Sequence, residues 1–311
     1  MISKEKLFRL FDYDGEYYIT VKDGTFVTLG NYASDPQQPY LSYAESERYL
    51  KRACFKNDIS CIICTKELSS NEILVNSGKG IAIAKSPRSS FNAFHNWFVT
   101  NEPDYTNSYE KTVVGEKNII HNRASIAEYG VKIGSNCIIE ENVVIRSGTV
   151  IGNNVEIGAG SIIGCPSHIV IQGQDGNLFL VNQVGKLFLH DNVSVGCNTT
   201  ISKGSFPYET TEIGEYSKVE NGVEISHNSK IGKNCIITGQ SHICGNVVLG
   251  DNIRLNPKSI ISNRIKVYDN AVIDLGSVVV NDIKEGVRVA GNFAIEHGKF
   301  LLWHKTKLRG Q

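Results

Sequence analysis

The histidine at position 227 is the residue of this sequence best suited to move a proton. An imidazole exchanges its proton near neutral pH, so histidine commonly serves as the general base where a nucleophile must be deprotonated. His227 stands between Ile225 and Ser229, in a segment whose repeating pattern does not require an imidazole. We interpret it as a candidate catalytic base, and the alternative is an ordinary surface histidine.

Metal chemistry is not favoured by the spacing of the other ligand-type residues. Cys61 and Cys64 form a lone Cys-x-x-Cys pair with no second pair to complete a zinc site. His227 and His242 have no third histidine at a compatible spacing. We therefore expect no metal site.

A six-residue repeat between residues 213 and 279 must position this histidine. Six is a multiple of the two-residue period of a strand and does not fit the 3.6-residue period of a helix. Gly, Asn and Asp recur between the apolar positions, as closely spaced corners require. The pattern predicts a parallel β-helix. Every sixth residue is aliphatic: Ile213, Val219, Ile225, Ile231, Ile237, Ile243, Leu249, Leu255, Ile261, Val267, Ile273 and Val279.

The same repeat begins earlier in the chain and is interrupted twice. A first block covers residues 127–163, the phase is lost over residues 165–186, and a second irregularity covers residues 205–211. Excursions from a regular solenoid often form its binding face. We predict a loop extruded from the β-helix at residues 165–186.

The whole chain is predicted to be mainly β, with four parts. Residues 1–100 lack the repeat and indicate a small separate α/β domain, and residues 101–113 are a polar linker. Residues 114–283 are the β-helix, and residues 284–311 are a short C-terminal tail packed on its end as a cap.

Two helices are predicted in the N-terminal domain. Ser42 and Glu45 have capping-box spacing, which predicts a helix that begins there and ends near Cys54. Ser86 and Pro87 are typical of a cap followed by proline in the first turn. The second helix is expected to bury Phe91, Phe94 and Phe98.

Charge and hydropathy exclude several classes of partner. The 32 Lys and Arg residues balance 32 Asp and Glu residues, so no overall field would attract nucleic acid or an anionic membrane. No apolar run is long enough to span a bilayer, and the first residues lack the apolar centre of a signal peptide. The expectation is a cytoplasmic protein without a membrane span.

The repeat resembles that of the hexapeptide-repeat acyltransferases. This resemblance implies a left-handed β-helix with three six-residue repeats per coil, assembled as a homotrimer. Residues 220–252 resemble the active-site coils of the UDP-3-O-acylglucosamine N-acyltransferases, and residues 185–204 resemble their middle coils. Residues 41–50 resemble the uridine-binding domain of that family.

The resemblance implies roles for five residues in catalysis and donor binding. His227 falls on the general base of the family, and Glu220 falls on the acidic partner that orients it. Gly245 follows His227 by three repeats, one coil above it, where a missing side chain lets a pantetheine arm approach the backbone. Asn263 and Arg264 lie one coil further along this donor path.

Five other residues are implied in acceptor binding. Tyr43 and Tyr49 fall on two aromatics that sandwich uracil, and Ser46 lies between them. Asn228 and His242 are candidate contacts of the sugar. The alternatives are that the two tyrosines are partly buried helix residues and that His242 is a surface residue.

Three departures from the family pattern affect the expected substrates. Ser46 and Glu47 replace Asn-Pro, Asn263 and Arg264 replace Gly-His, and the C-terminal helical extension is reduced to a tail. Residues 289–294 also resemble the end of coenzyme A-dependent acetyltransferases, with Phe293 in place of proline.

We therefore predict acyl transfer to a nucleotide-linked amino sugar, either a 3- or 4-amino deoxysugar or a glucosamine-type sugar. The donor is expected to be acyl-coenzyme A or acyl carrier protein, used as a co-substrate, with no tightly bound cofactor. One alternative is an authentic lipid A pathway enzyme that uses acyl carrier protein. The other is a non-catalytic β-helix scaffold.

Overall fold

Most of the chain winds into a triangular prism of parallel strands. The computed structural model describes residues 6–103, 105–106, 109–291 and 296–309, so the predicted motif residue Phe293 lies outside the described residues. The three faces of the prism are parallel sheets of eight, nine and eight strands among these residues. The predicted left-handed parallel β-helix is confirmed.

The strands of the prism are short, and each face takes one strand from every coil. The first face contains Val113–Val114, Val131–Ile133, Thr149–Ile151, Lys186–Leu189, Thr210–Ile213, Lys230–Ile231, Val248–Leu249 and Lys266–Val267. The second contains Ile119–Ile120, Ile138–Ile139, Glu156–Ile157, Ser194–Val195, Lys218–Val219, Ile236–Ile237, Arg254–Leu255, Val272–Ile273 and Arg288–Val289. The third contains Ser125–Ile126, Val144–Ile145, Ile162–Cys165, Thr200–Ser202, Glu224–Ile225, His242–Ile243, Ile260–Ile261 and Val278–Val279.

The repeated aliphatic residues fill the interior of the prism. All twelve of those between residues 213 and 279 are at most 6% exposed, and they belong to one continuous cluster. Neighbouring coils are in register three repeats apart, as in the pair Glu224 and His242. Asparagine occupies many corners with positive φ, as at Asn228, because its short polar side chain tolerates the left-handed region.

Two excursions leave the prism, as the loss of phase predicted. Ile163 pairs with Ile201, which is further along the chain than the usual three repeats, and the additional residues form the first excursion. It contains the antiparallel strands Val170–Gln172 and Leu178–Leu180, and Val181 continues this pairing by donating its backbone N–H to the Ile169 carbonyl. We call residues 169–182 the hairpin. Ile201 pairs with Ile225, four repeats later instead of three, so the second excursion adds the length of one repeat, centred on residues 205–209.

The N-terminal part of the chain forms a five-stranded sheet with helices. The strand order is Ile19–Lys22, Gly80–Ile83, Ile59–Cys64, Tyr40–Ala44 and Thr28–Leu29, and the last four strands are parallel to one another. Phe8–Arg9 pairs with Thr25–Phe26, and short 3₁₀ turns cover Leu10–Tyr13 and Leu68–Ser70. The helices are α1 (Glu47–Cys54), α2 (Glu72–Val75) and α3 (Pro87–Asn101).

The prediction of a helix that starts at Ser42 is wrong for its first turn. Tyr40–Ala44 is instead a mostly buried strand between two parallel neighbours, and α1 begins after Ser46. Strand pairing in the sheet therefore overrides the local capping signal. The prediction for α3 is confirmed, since Pro87 lies in its first turn and Phe91, Phe94 and Phe98 are buried.

The C-terminal helix α4 (His297–Arg309) follows the last strand of the second face. The side chains of Leu302 and Trp303 are 69% and 51% exposed, so the structure does not show the predicted packing of the tail on the prism end. No helix among the described residues has the length and apolar character needed to cross a bilayer.

Candidate functional site

A cleft of about 390 Å³ opens where the prism, the N-terminal sheet and the hairpin meet. We call it the cleft and define it by three groups of lining residues. The prism and its second excursion contribute Ser205, Phe206, His227, Asn228, Asn246, Asn263 and Arg264. The N-terminal domain contributes Asn31, Tyr32, Tyr43, Ala44, Glu45, Tyr49, Arg88, Phe91 and Asn92, and the hairpin contributes Ile169, Ile171 and Val181.

The prism side of the cleft is a column of stacked corners. Asn228, Asn246 and Arg264 occupy the same corner position in successive coils, with φ values of 60°, 61° and 64°. The Asn228 amide donates to Asn246 Oδ1 across 3.3 Å. Because equivalent residues of successive coils stack directly, the repeat places His227 and Asn263 in the same column of the cleft.

His227 lines the cleft beside this column and is partly buried. Its Nδ1 lies 3.2 Å from Ser205 Oγ, and its backbone N–H donates to Ser167 Oγ across 3.3 Å. Burial, together with the nearby Arg264 guanidinium, lowers the pKa of His227 to about 4. The imidazole is therefore neutral at pH 7 and can accept a proton.

Gly245 lies against the imidazole from the next coil. A Cβ atom at this position would stand 2.6 Å from His227 Nε2 and 2.8 Å from Cε1. The residue predicted to leave room for a donor arm thus also leaves room for the imidazole itself.

The structure does not support Glu220 as the partner of His227. The Glu220 carboxylate accepts from the Gly239 N–H across 2.9 Å and lines a different cavity with Lys218 and Lys258. Glu220 follows a strand of the second face and His227 follows the next strand, on the third face. Successive corners of a triangular coil lie on different edges of the prism, so Glu220 and His227 lie on different edges.

Glu209 is a carboxylate linked to His227 through the Asn228 amide and Ser205, and the sequence analysis missed it. Glu209 accepts from Ser34 Oγ across 2.7 Å, from Asn228 Nδ2 across 2.6 Å and from the Phe206 N–H across 3.3 Å. Burial raises the pKa of Glu209. Its one signal in the sequence was its place in the second irregular segment.

The two predicted tyrosines both line the cleft, in different surroundings. Tyr43 lies on the strand Tyr40–Ala44 and packs on Phe91, with ring centroids 4.9 Å apart. Tyr49 lies on α1 and stacks on Tyr32, with centroids 4.9 Å apart and planes at 27°. Tyr32 follows the carboxyl end of a parallel strand, the usual place for ligands in such sheets.

Positive charge lies beside these aromatic rings. The Arg264 guanidinium is 5.6 Å from the centre of the Tyr32 ring, and Arg88 also lines the cleft. Two arginines facing one cleft could hold a phosphate group through bidentate hydrogen bonds.

Two of the predicted acceptor residues are not part of the cleft. Ser46 precedes α1 but is not among the lining residues. His242 lies on the outer surface of the third face, where its Nδ1 is 3.2 Å from Glu224 Oε2. The predicted contacts of Ser46 and His242 with a sugar have no support in this geometry, whereas Asn228 does line the cleft.

The hairpin gives the cleft an apolar side that is fixed in place. Ile171 and Val181 are nearly fully buried and face the cleft. Asn96 on α3 donates to the Leu180 carbonyl and accepts from the Asn182 N–H, across 2.7 and 2.8 Å. His95 Nε2 lies 2.7 Å from the Asn182 carbonyl, so α3 holds the hairpin by several polar contacts.

One buried histidine, His95, and one partly buried histidine, His227, should make the protein sensitive to acid. Burial lowers the pKa of His95 to about 4, and the pKa of His227 is also about 4. An unfolded histidine titrates near pH 6.5, so below that pH the unfolded state binds protons that the folded state does not. We expect the free energy of unfolding to fall between pH 6.5 and 4.5, approaching about 3 kcal/mol per ring near pH 4.

Urea unfolding at several pH values measures this effect. His95→Gln should remove roughly half of the histidine contribution to the pH dependence between 6.5 and 4.5, because His227 remains. Replacement of the exposed His121 by Gln is the control. A His95→Gln slope equal to that of the wild type would contradict the expectation.

No group of three or more His, Cys, Asp or Glu side chains within the described part of the chain is arranged to hold a metal ion. The polar groups that line the cleft are one imidazole, several amides, two arginines, the hydroxyls of Ser205 and three tyrosines, and one carboxylate, Glu45. This set suits proton transfer and the binding of an anionic substrate.

Comparison with known proteins supports the hexapeptide assignment. The model of the Bacterial transferase hexapeptide (six repeats) matches residues 130–165. UDP-3-O-acylglucosamine N-acyltransferase from Rhizobium meliloti (strain 1021) is 41% identical over 59 residues, 19% of this chain and 16% of that protein. The same enzyme from Rhizobium rhizogenes is 39% identical over 67 residues, 19% of this chain and 18% of that protein. These matches span less than a fifth of each relative.

A solved structure shares the fold. UDP-N-acetylglucosamine acyltransferase from Campylobacter jejuni matches with a TM-score of 0.52 at 22% identity, over 59% of this chain and 68% of that one. The protein thus has the fold of a left-handed β-helix built from hexapeptide repeats. Among proteins with this fold, it is similar to the UDP-3-O-acylglucosamine N-acyltransferases, as the sequence indicated.

Proposed function

We propose that this protein is an N-acyltransferase that moves an acyl group from a pantetheine thioester to the amine of a nucleotide-linked amino sugar. The observation that carries the proposal is the position of His227. Its neutral imidazole lies in a cleft that also holds stacked aromatic rings and two arginines. Proton acceptor and anion-binding groups thus face the same enclosed space.

In this mechanism the sugar amine attacks the thioester carbonyl. His227 Nε2 accepts the proton that the amine loses, while the C–N bond forms. The tetrahedral intermediate then collapses, the C–S bond breaks, and the imidazolium returns the proton to the thiolate. A pKa of about 4 keeps the base unprotonated before each cycle at neutral pH.

The nucleotide is assigned to the N-terminal side of the cleft. Tyr32 and Tyr49 form an aromatic platform near the carboxyl ends of parallel strands, which suits a planar base. Arg264 and Arg88 would contact the diphosphate. Arg264 was expected on the donor path, but its place over Tyr32 favours the acceptor side.

The donor is assigned to the column that contains Gly245 and Asn263. The acyl group would lie toward Ile171 and Val181, since these are the buried aliphatic side chains facing the cleft. We favour acyl-coenzyme A as donor and keep the carrier-protein thioester of a lipid A pathway enzyme as the alternative. A non-catalytic scaffold is disfavoured, because a histidine with a strongly lowered pKa in a cleft is typical of functional sites.

A side-by-side rate comparison tests the proposal. UDP- and dTDP-linked amino sugars are each offered with the same acyl group on coenzyme A and on acyl carrier protein. Transfer to the amine from coenzyme A is the expected result, and turnover of the carrier-protein thioester alone would support the lipid A alternative. Failure of every amine acceptor with both donors would contradict N-acyl transfer.

We also propose that the protein assembles as a homotrimer. The cleft does not need a partner for its second side, because the N-terminal domain and the hairpin of the same chain supply it. The support is instead the third face, whose strands carry one outward pair of titratable side chains, Glu224 and His242. Ile162, Ile260 and Val278 beside it are 37%, 41% and 52% exposed, an aliphatic surface that closed symmetry would cover.

Light scattering should therefore give three times the chain mass of 34.3 kDa. Ile260→Asp should shift the mass toward that of a single chain, because a carboxylate would be buried without a partner. Ile236→Asp is the matched control, since Ile236 has similar exposure on the second face. A fully active wild-type protein of 34.3 kDa would contradict the trimer.

A further inference from the structure

Residues 205–209 connect the imidazole of His227 to the N-terminal domain. This segment is the second excursion, which precedes the coil of His227. Phe206 is buried in the aromatic core of the N-terminal domain, 4.8 Å from the ring of His95. The Tyr208 hydroxyl donates to the Leu29 carbonyl across 2.7 Å. The rings of Phe206 and Tyr208 thus anchor this segment to the N-terminal domain, which lies over the cleft.

Ser205 is held in place from the prism as well. Its backbone N–H donates to Asn228 Oδ1 across 2.9 Å. The other end of the same amide donates to Glu209, which also accepts from Ser34 Oγ. Ser205 therefore has a fixed backbone, and its Oγ lies 3.2 Å from His227 Nδ1.

We propose that Ser205 is a positioning residue that fixes the tautomer of His227. A neutral imidazole carries one N–H, and an enclosed N–H requires an acceptor. The hydrogen bonds of the described residues include one side-chain partner for this imidazole, the Ser205 hydroxyl at Nδ1. With the proton on Nδ1 and donated to Ser205 Oγ, the lone pair of Nε2 faces the side of Gly245.

This inference rests on the proposed role of His227 as general base. A base must present a lone pair to the amine, so only the tautomer with the proton on Nδ1 is productive at Nε2. Catalytic histidines are commonly oriented by a carboxylate. Here the predicted carboxylate, Glu220, lies on another edge of the prism. The Ser205 hydroxyl lies beside Nδ1 of His227 and takes the orienting role instead.

The tautomer can be observed directly by ¹⁵N NMR of protein labelled at histidine, with His227 assigned by the signals lost in His227→Gln. The expected wild-type state has the proton on Nδ1 and an unprotonated Nε2. Ser205→Ala should populate the tautomer with the proton on Nε2 and lower kcat roughly tenfold, the worth of one buried hydrogen bond. KM for both substrates should stay within about twofold.

Ser226→Ala is the matched control, because Ser226 is adjacent to His227 in the chain and does not line the cleft. It should change neither the tautomer nor kcat. A wild-type proton on Nε2, or a Ser205→Ala protein with unchanged tautomer or unchanged kcat, would overturn the role of Ser205. The NMR measurement needs no substrate. A tautomer that responds to Ser205→Ala in a protein that acylates no amine would therefore refute the proposed function and not the positioning.

Discussion

Replacement of His227 by Ala is expected to lower the turnover of amine acylation about 10²- to 10⁴-fold, the usual contribution of a positioned proton acceptor. The imidazole lies outside the aliphatic interior of the prism, so the thermal unfolding midpoint should change little. Initial rates with saturating amino sugar, together with a thermal melt, measure both effects. His121→Ala on the prism surface is the control and should retain the wild-type rate.

The pH dependence of kcat/KM provides a second check on the same residue. This quantity reports the ionisation of the free protein, and the pKa of His227 is about 4. Protonation inactivates a base, so activity corrected for the fraction of unprotonated amino sugar should be flat from pH 7 to about 5 and fall as the pH approaches 4. A corrected acid limb near pH 6.5, or a His227→Ala protein that retains activity, would end this assignment.

Gly245→Ala should be nearly as damaging as loss of the base, although it adds a single methyl group. The added Cβ would lie 2.6 Å from His227 Nε2, and this contact forces the imidazole to move. A displacement of about an ångström at a reacting group costs on the order of 100-fold in rate. The loss should appear in kcat with the fold intact, as judged by circular dichroism.

Gly291→Ala is the matched control for this prediction. A Cβ at Gly291 would meet no atom of the described residues within 4 Å, so the activity of this variant should equal that of the wild type. Equal activity of Gly245→Ala and wild type would show that the imidazole tolerates displacement, and that the contact with Gly245 is not needed for catalysis.

The prism could be predicted because its information is local. An aliphatic residue at every sixth position fixes the coil, and stacking three repeats apart places Gly245 on His227 without further knowledge. Sequence proximity did not place Glu220 correctly. A residue seven positions from His227 lies near another corner, so closeness in sequence did not mean closeness in space.

The other side of the cleft could not be predicted in this way. Ser34 meets Glu209 across 175 residues of sequence, and Tyr32 meets Arg264 across an even longer separation. Such contacts depend on how the N-terminal domain docks on the prism, and no short-range pattern encodes that docking. Tyr40–Ala44 shows the same limit, because its neighbours in the sheet, and not its own capping signal, make it a strand.

The long-range contact between Ser34 and Glu209 has a consequence for how the protein folds. Coils of the prism can add one after another, since each pairs with the coil next to it in the chain, and such propagation is typical of solenoids. The bonds of Glu209 to Ser34 and of Tyr208 to Leu29 close loops of 175 and 179 residues. Closing such long loops costs more conformational entropy than adding a coil, so these contacts should form more slowly. The environment of His227 is therefore completed after the prism that carries it. During refolding, acyl-transfer activity should therefore recover later than the circular dichroism signal of the β-structure.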